Sequence, residues 1–150
     1  MNKSIIALAI WLAVGGAPLT VIDGDTLRLN GESVRLKGIS APEMREPGGP
    51  ESKDHLKALI GDSSVQCDFT GERTHGRQVG WCKSGDLDLN GQMVRDGWAA
   101  ACPRYSGRYI ADETEAKMNR RGIWAIGYEL PCYCIQTTKA RQECHTRERR

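Results

Sequence analysis

The chain has 150 residues, which suits a single domain with one hydrophobic core. Its composition, 39% hydrophobic and 27% charged, is that of an ordinary globular protein and excludes a largely disordered or membrane-embedded chain. The formal net charge is +2, yet residues 139–150 alone carry a net +3, from five Lys or Arg against two Glu. The rest of the chain therefore has no broad basic face for nucleic acid, and any binding of phosphate has to come from a local site.

Residues 1–17 have the layout of a secretory signal. Lys3 gives a short positive start, residues 5–14 are almost wholly apolar, and residues 15–17 are small. The apolar run is too short to span a bilayer comfortably, since a spanning helix needs about 20 residues. We therefore predict export to the periplasm or the extracellular space. An uncleaved anchor and a buried first strand are the alternatives.

An even number of cysteines supports export, because disulfides form in oxidising compartments. The six are Cys67, Cys82, Cys102, Cys132, Cys134 and Cys144. Six cysteines allow fifteen pairings. We predict a Cys67–Cys82 bond, because each lies in a strand-like stretch on one side of a polar turn. A zinc cluster formed by the last three cysteines with His145 is disfavoured, because their spacing fits no structural zinc pattern.

The first half of the chain predicts a β-hairpin, a loop and a helix. Residues 19–29 and 32–39 alternate as strands do, and Asn30-Gly31 between them is typical of a two-residue hairpin turn. Residues 42–50 are rich in Pro and Gly and form a loop. Residues 51–60 have apolar side chains at helical spacing and end at Gly61.

The second half predicts two more strands and two helices. The strands are residues 65–69 and 78–82, joined by a polar link over residues 70–77. The helices lie within residues 87–98 and 109–121, ending at Gly97 and Gly122. Beyond Pro131 the chain is polar and basic, and we expect a loosely ordered tail. Short strands with Gly-rich turns, then helices, favour a small barrel or an α+β domain.

Six short motifs, found in this order, resemble those of the staphylococcal nuclease (thermonuclease) family. They are Asp23-Gly24-Asp25-Thr26, the segment from Arg35 to Glu43 that ends in Pro42-Glu43, Gly49-Pro50-Glu51, Gly76-Arg77, Val94-Arg95-Asp96-Gly97 and Arg121-Gly122-Ile123-Trp124. The resemblance covers residues 19–125. It implies an α+β fold that is mainly β, a five-stranded OB-fold barrel with about three α-helices. The nuclease-like domain would span residues 18–128, with a basic, Cys-containing tail over 129–150.

The resemblance also implies a role for each of five residues in cutting DNA or RNA with calcium. Asp25 and the backbone carbonyl of Ala41 would bind Ca²⁺, which prefers several oxygen ligands. Arg35 would clamp the scissile phosphate, because a guanidinium can bind two phosphate oxygens at once. Glu43 would act as the base for the attacking water. Arg77 would stabilise charge that develops on the phosphate in the transition state.

The strand register raises a difficulty for this site. With a two-residue turn at Asn30-Gly31, Asp25 lies opposite Leu36, so Arg35 nominally faces the other side of the hairpin. Convergence of Arg35 on Asp25 therefore requires a twist or a bulge.

Three further positions concern the metal shell and the substrate. Ser40 stands where the family normally has a second metal-binding aspartate, which predicts weaker calcium binding, and His75 stands where a tyrosine is typical. Tyr105 and Tyr109 lie in a region where the family places tyrosines beside the nucleotide, so they are candidates for stacking on bases. Packing of these two tyrosines against the barrel is the alternative.

The resulting hypothesis is an exported, calcium-dependent nuclease that hydrolyses DNA and/or RNA with little sequence preference. It would act as a monomer without a stable protein partner. The alternative is an OB-fold module that binds nucleic acid or protein and has lost catalysis. Ser40 favours the alternative, while retention of Asp25, Arg35, Glu43 and Arg77 together favours the enzyme.

Overall fold

The computed structural model describes residues 18–150, so the predicted signal segment lies outside the described residues. Eight strands are present in this part: β1 Thr20–Asp23, β2 Thr26–Leu29, β3 Glu32–Leu36, β4 Ile39–Ser40, β5 Val65–Thr74, β6 Arg77–Ser84, β7 Leu87–Asp88 and β8 Ala100–Ala101. The α-helices are α1 Gly49–Ile60, α2 Leu89–Arg95, α3 Ile110–Met118 and α4 Thr138–Glu148. Short 3₁₀ helices occupy Gly122–Ala125 and Cys132–Cys134.

The strands form one mixed sheet and one small pair. The main sheet has the order β1-β2-β3-β6-β5, with β7 also paired to β6, and β4 pairs separately with β8. Only the β3–β6 pairing is parallel among the described strands. The predicted α+β class and OB-like architecture are confirmed. The described residues, however, contain four α-helices, and their sheet does not close into a full barrel.

The first hairpin follows from its turn residues. Asn30 and Gly31 have φ angles of 52° and 84°, the paired left-handed conformations that a tight two-residue hairpin turn requires. This turn fixes Thr26 opposite Arg35 in the β2–β3 ladder, as the two-residue turn predicted. The predicted strand over residues 19–29 is two strands, because the chain turns at residues 24–25 between β1 and β2.

The second hairpin is longer than predicted. Residues 70–77 were predicted as a polar link, but β5 and β6 extend through this region up to the turn at His75-Gly76. Both turn residues again have positive φ. Polar residues are tolerated there because this end of the hairpin projects beyond the core. At the other end, Cys67 pairs with Cys82 across the ladder, and the predicted disulfide between them is confirmed.

The core lies between the sheet and the first two helices. It contains apolar side chains from β2, β3, β6, α1 and α2, among them Leu27, Val34, Leu56 and Met93. Helix α1 packs against β1, and α2 packs against β6, α1 and α3. The buried Asn90 side chain joins α2 to the sheet, because it accepts a hydrogen bond from the Cys82 amide and donates to the carbonyls of Lys37 and Gly80.

The C-terminal segment is ordered, contrary to the loosely ordered tail expected from its polar composition. Disulfides Cys102–Cys134 and Cys132–Cys144 tie the second 3₁₀ helix to β8 and to α4. Covalent bonds here replace the apolar contacts that α4 lacks, since Cys144 is its only buried residue. All six cysteine sulfurs are bonded to one another, so the zinc alternative has no thiolate ligands. None of the described helices has the length and apolarity needed to cross a membrane.

Candidate active site

One cavity of about 690 Å³ collects most of the predicted site residues. Asp25, Arg35, Glu43, Arg77 and Tyr105 all line it, although they come from five separate stretches of the chain. Two arginines and two carboxylates thus face the same space.

Tyr109, the other predicted substrate-binding residue, does not line the cavity. Its side chain is only 2% exposed, and its hydroxyl donates to the carboxylate of Asp88 at 3.0 Å. Tyr109 is therefore packed in the interior of the protein, as the alternative to base stacking predicted.

Asp25 is the centre of the hydrogen-bond network in the cavity. Its side chain is buried, and Oδ1 pairs with Arg35 Nη1 at 2.5 Å and accepts from the Thr26 hydroxyl at 3.0 Å. Oδ2 accepts from the Ala41 amide at 2.8 Å. Burial raises the pKa of Asp25 to about 6, against the lowering effect of the Arg35 guanidinium, while the nearby Asp23 raises it further. The carboxylate is therefore held in place but is poorly solvated.

The register difficulty is resolved by the position of Asp25 in a turn. The Leu36 amide donates to the Asp25 carbonyl at 2.8 Å, so the two residues do lie opposite each other as predicted. Asp25 precedes β2, however, and its side chain is not bound by the alternation of a pleated strand. The β1–β2 ladder also has an irregularity between Val21 and Asp23, which changes the approach to this turn. Arg35 can therefore reach Asp25 from its own face.

Arg77 is connected to Asp25 through Thr26. Its Nη1 donates to Thr26 Oγ1 at 3.1 Å, while the same hydroxyl donates to Asp25. Thr26 is almost fully buried and was not singled out as a site residue from the sequence. Its position opposite Arg35 in the hairpin register is the signal that could have identified it.

Glu43 is exposed in a short turn that leads to α1. The Glu43 amide donates to the Glu46 side chain, and the Glu46 amide donates back to the Glu43 carbonyl, both at 2.8 Å. Gly49 lies against the same carbonyl, and a Cβ atom at Gly49 would sit only 2.0 Å from it. Backbone contacts therefore fix the turn while the Glu43 carboxylate remains accessible from the cavity.

Ser40 lies in β4 and is fully buried. Its hydroxyl is hydrogen-bonded to the hydroxyl of Tyr133 at 2.9 Å. Tyr133 comes from the C-terminal segment and lines the same cavity, but the sequence did not identify it as a site residue. Where the sequence resemblance predicted a metal-binding carboxylate, the structure therefore has the Ser40 hydroxyl, paired with the Tyr133 hydroxyl.

The donor atoms at the cavity suit a hard divalent cation. The carboxylates of Asp25 and Glu43 line the cavity and are the kind of ligand that Ca²⁺ and Mg²⁺ prefer, whereas Ser40 and Ala41 are buried and do not line it. Within residues 18–150, no three His, Cys, Asp or Glu ligand atoms come together at this cavity. An ion bound here would therefore need hydroxyl, carbonyl and water oxygens to complete its coordination.

The cavity has a local excess of cationic side chains. Besides the two site arginines, Lys37 and Arg73 line it, and Lys37 is paired with Glu72. His75 lies exposed at the tip of the β5–β6 hairpin, also on the cavity wall. This cavity is therefore the candidate for the local phosphate site that the sequence predicted.

Comparison with known proteins places this arrangement in a family. The profile described as staphylococcal nuclease homologue matches residues 33–126. The succinoglycan biosynthesis protein ExoI of Rhizobium meliloti is 35% identical over 126 residues, which cover 75% of this chain and 66% of that protein. A probable staphylococcal-like nuclease of rice, CAN3, is 38% identical over 96 residues, covering 63% of this chain and 26% of that protein.

A third relative is similar in length to this chain. An uncharacterized endonuclease of Escherichia coli O157:H7 is 28% identical over 125 residues, which cover 79% of this chain and 82% of that protein. The first two relatives are longer, since this chain covers less than two thirds of either. The family profile itself spans more than half of the chain. The protein therefore belongs to the staphylococcal nuclease homologue family.

Proposed function

We propose that this protein is an exported nuclease that hydrolyses phosphodiester bonds of DNA and/or RNA with the help of calcium. The observation that carries the proposal is the convergence of Asp25, Arg35, Glu43 and Arg77 on one cavity. Two fixed guanidinium groups opposite two carboxylates match the needs of phosphodiester hydrolysis, in which a phosphate is held while water attacks it. Relatives named as nucleases support the same conclusion.

Each residue has a role that follows from its position. Arg35 and Arg77 bind the phosphoryl oxygens, and their attachment to Asp25 and Thr26 orients them before substrate arrives. The accessible Glu43 carboxylate accepts a proton from the attacking water. Asp25 and the Ala41 carbonyl would hold a calcium ion, which would polarise the phosphoryl oxygen and neutralise developing charge.

Export is supported by the disulfides. Three disulfides among the described residues are typical of a protein that folds in an oxidising compartment. The secretory layout of residues 1–17 agrees with this compartment. We propose that the protein works as a monomer on single-stranded nucleic acid without strong sequence preference.

A cleavage assay tests the proposal. The oxidised protein is incubated with single-stranded DNA or RNA, across a wide range of calcium concentrations and with a chelator. We expect cleavage with calcium and none with the chelator. Glu43→Gln should slow cleavage by about 10²- to 10⁴-fold, the usual contribution of a general base, and weaken substrate binding far less. Glu51→Gln, an exposed glutamate in the first turn of α1, is the matched control and should leave the rate unchanged.

A binding module without catalysis is the second candidate, and Ser40 is the observation that favours it. A hydroxyl in place of a carboxylate removes one negative charge from the metal site. Binding of nucleic acid without cleavage at any calcium concentration would support this alternative and refute the enzyme. Equal losses of binding and cleavage in Glu43→Gln would refute the role of Glu43 as the base.

A further inference from the structure

The C-terminal segment places a tyrosine in the cavity wall and fixes it from several sides. Tyr133 lies between Cys132 and Cys134, and both of these cysteines form disulfides, one to α4 and one to the end of β8. Its hydroxyl is hydrogen-bonded to Ser40. The ring nevertheless remains accessible, since the residue is 42% exposed.

Arg104 connects Tyr133 to a second exposed tyrosine of the same cavity. The Arg104 amide donates to the Cys134 carbonyl at 3.1 Å, and the Arg104 guanidinium donates to the Tyr133 carbonyl at 3.4 Å. The same guanidinium lies 5.4 Å from the ring centre of Tyr105, which is 49% exposed. Among the described residues, Tyr105 and Tyr133 are the two tyrosines that line this cavity.

An exposed aromatic ring that is immobilised beside a phosphate site has a clear chemical use. Nucleobases stack on aromatic faces, and such stacking tolerates any sequence because every base has a π face. A large part of the entropic cost of ordering Tyr133 is met on folding, since covalent and hydrogen bonds already fix its position. A tyrosine that served only to pack the fold would bury its ring, whereas Tyr133 leaves it accessible at the cavity wall.

On this basis, and resting on the proposed nuclease function, we propose that Tyr133 stacks on a nucleobase of the single-stranded substrate whose phosphate lies at Arg35. The segment over residues 129–150 is then part of the substrate site, and its disulfides hold the stacking ring in position. Ser40 anchors the hydroxyl of that ring. The residue that weakens the expected metal site thereby supports a contact with substrate.

The test is binding of a fluorescent single-stranded DNA oligonucleotide, measured by anisotropy with a chelator present, next to an abasic oligonucleotide of the same length. Tyr133→Ala should weaken binding of the ordinary oligonucleotide by about 5- to 150-fold, as expected for the loss of one stacked base. Binding of the abasic oligonucleotide should not change. Tyr133→Phe should recover most of the lost affinity, because it keeps the ring. Phe69→Ala is the control, since Phe69 is an exposed aromatic residue outside the cavity.

Three results would overturn the proposal. Tyr133→Ala could lose equal affinity for the ordinary and abasic oligonucleotides, or it could lose none. The unaltered protein could also bind the two oligonucleotides equally. Binding is measured with a chelator and therefore does not depend on cleavage. A protein that fails to cleave with calcium would refute the nuclease function, but the binding measurement would still test the stacking. If Tyr133→Ala binds and cleaves as the unaltered protein does, the stacking proposal is refuted and the nuclease function is not.

Discussion

Gly49→Ala tests whether backbone packing beneath Glu43 sets its catalytic position. A Cβ atom at residue 49 would lie 2.0 Å from the Glu43 carbonyl oxygen and 2.8 Å from the carbonyl carbon. Ordinary van der Waals contact begins at 3.4 Å, so the Glu43 turn would have to move by about 1.4 Å. A displacement of about 1 Å at a reacting group can cost about 10²-fold in rate. We therefore expect a similar loss in kcat.

The assay is single-turnover cleavage of a short oligonucleotide at saturating calcium, at a temperature where urea denaturation shows the variant to be folded. Overpacking should also lower the free energy of unfolding, by about 1–3 kcal/mol. Gly107→Ala is the matched control, because the nearest atom to its Cβ would be 3.6 Å away. In a Glu43→Gln background, Gly49→Ala should change the rate by less than about twofold, since both changes act through the same carboxylate. A wild-type rate in Gly49→Ala, or independent losses in the double variant, would refute the reasoning.

Three further predictions concern the metal shell, the arginine network and the C-terminal segment. Ser40→Asp should lower the calcium concentration needed for cleavage by about tenfold, because it restores a carboxylate; an unchanged requirement would show that residue 40 is not in the metal shell. Thr26→Val keeps the side-chain volume but removes the hydroxyl that receives the Arg77 hydrogen bond and donates to a buried carboxylate. It should lower the free energy of unfolding in urea by about 1.5–3 kcal/mol, whereas unaltered stability would mean that water replaces the hydroxyl. Replacing Cys132 and Cys144 together by Ser opens a loop with a sequence separation of 12 residues, which should lower that free energy by about 3 kcal/mol; retention of full stability would contradict a structural role for this bond.

Local features of the structure could be predicted from the sequence because their causes are local. Asn30-Gly31 specifies a tight hairpin by itself, and Gly61 ends α1 at the residue expected. The Cys67–Cys82 bond was also predictable, because its two cysteines face each other across one hairpin. The other two disulfides were not, since each joins segments whose contact depends on how the whole chain packs.

In the β5–β6 hairpin and the C-terminal segment, predictions based on polar composition were wrong. Polar residues between 70 and 77 suggested a link, yet strand pairing resumes at Arg73 and Thr74 after an irregularity, because it requires backbone groups and not apolar side chains. The polar residues after Pro131 suggested a loosely ordered tail. Disulfides constrain this segment, and α4 is present although Cys144 is its only buried residue.

The sequence by itself determined the α+β class, the family resemblance and the residue types of the candidate site. It did so because turns, hydrophobic periodicity and short sequence motifs can each be recognised from a few neighbouring residues. Only the tertiary structure decided that Arg35 meets Asp25, that Thr26 connects Asp25 to Arg77, and that Tyr133 reaches Ser40. These contacts join residues 10 to 93 positions apart, except for the immediate neighbours Asp25 and Thr26. The turn at Asp25, the burial of its side chain and the two C-terminal disulfides fix these contacts, and all three depend on how distant segments of the chain pack together.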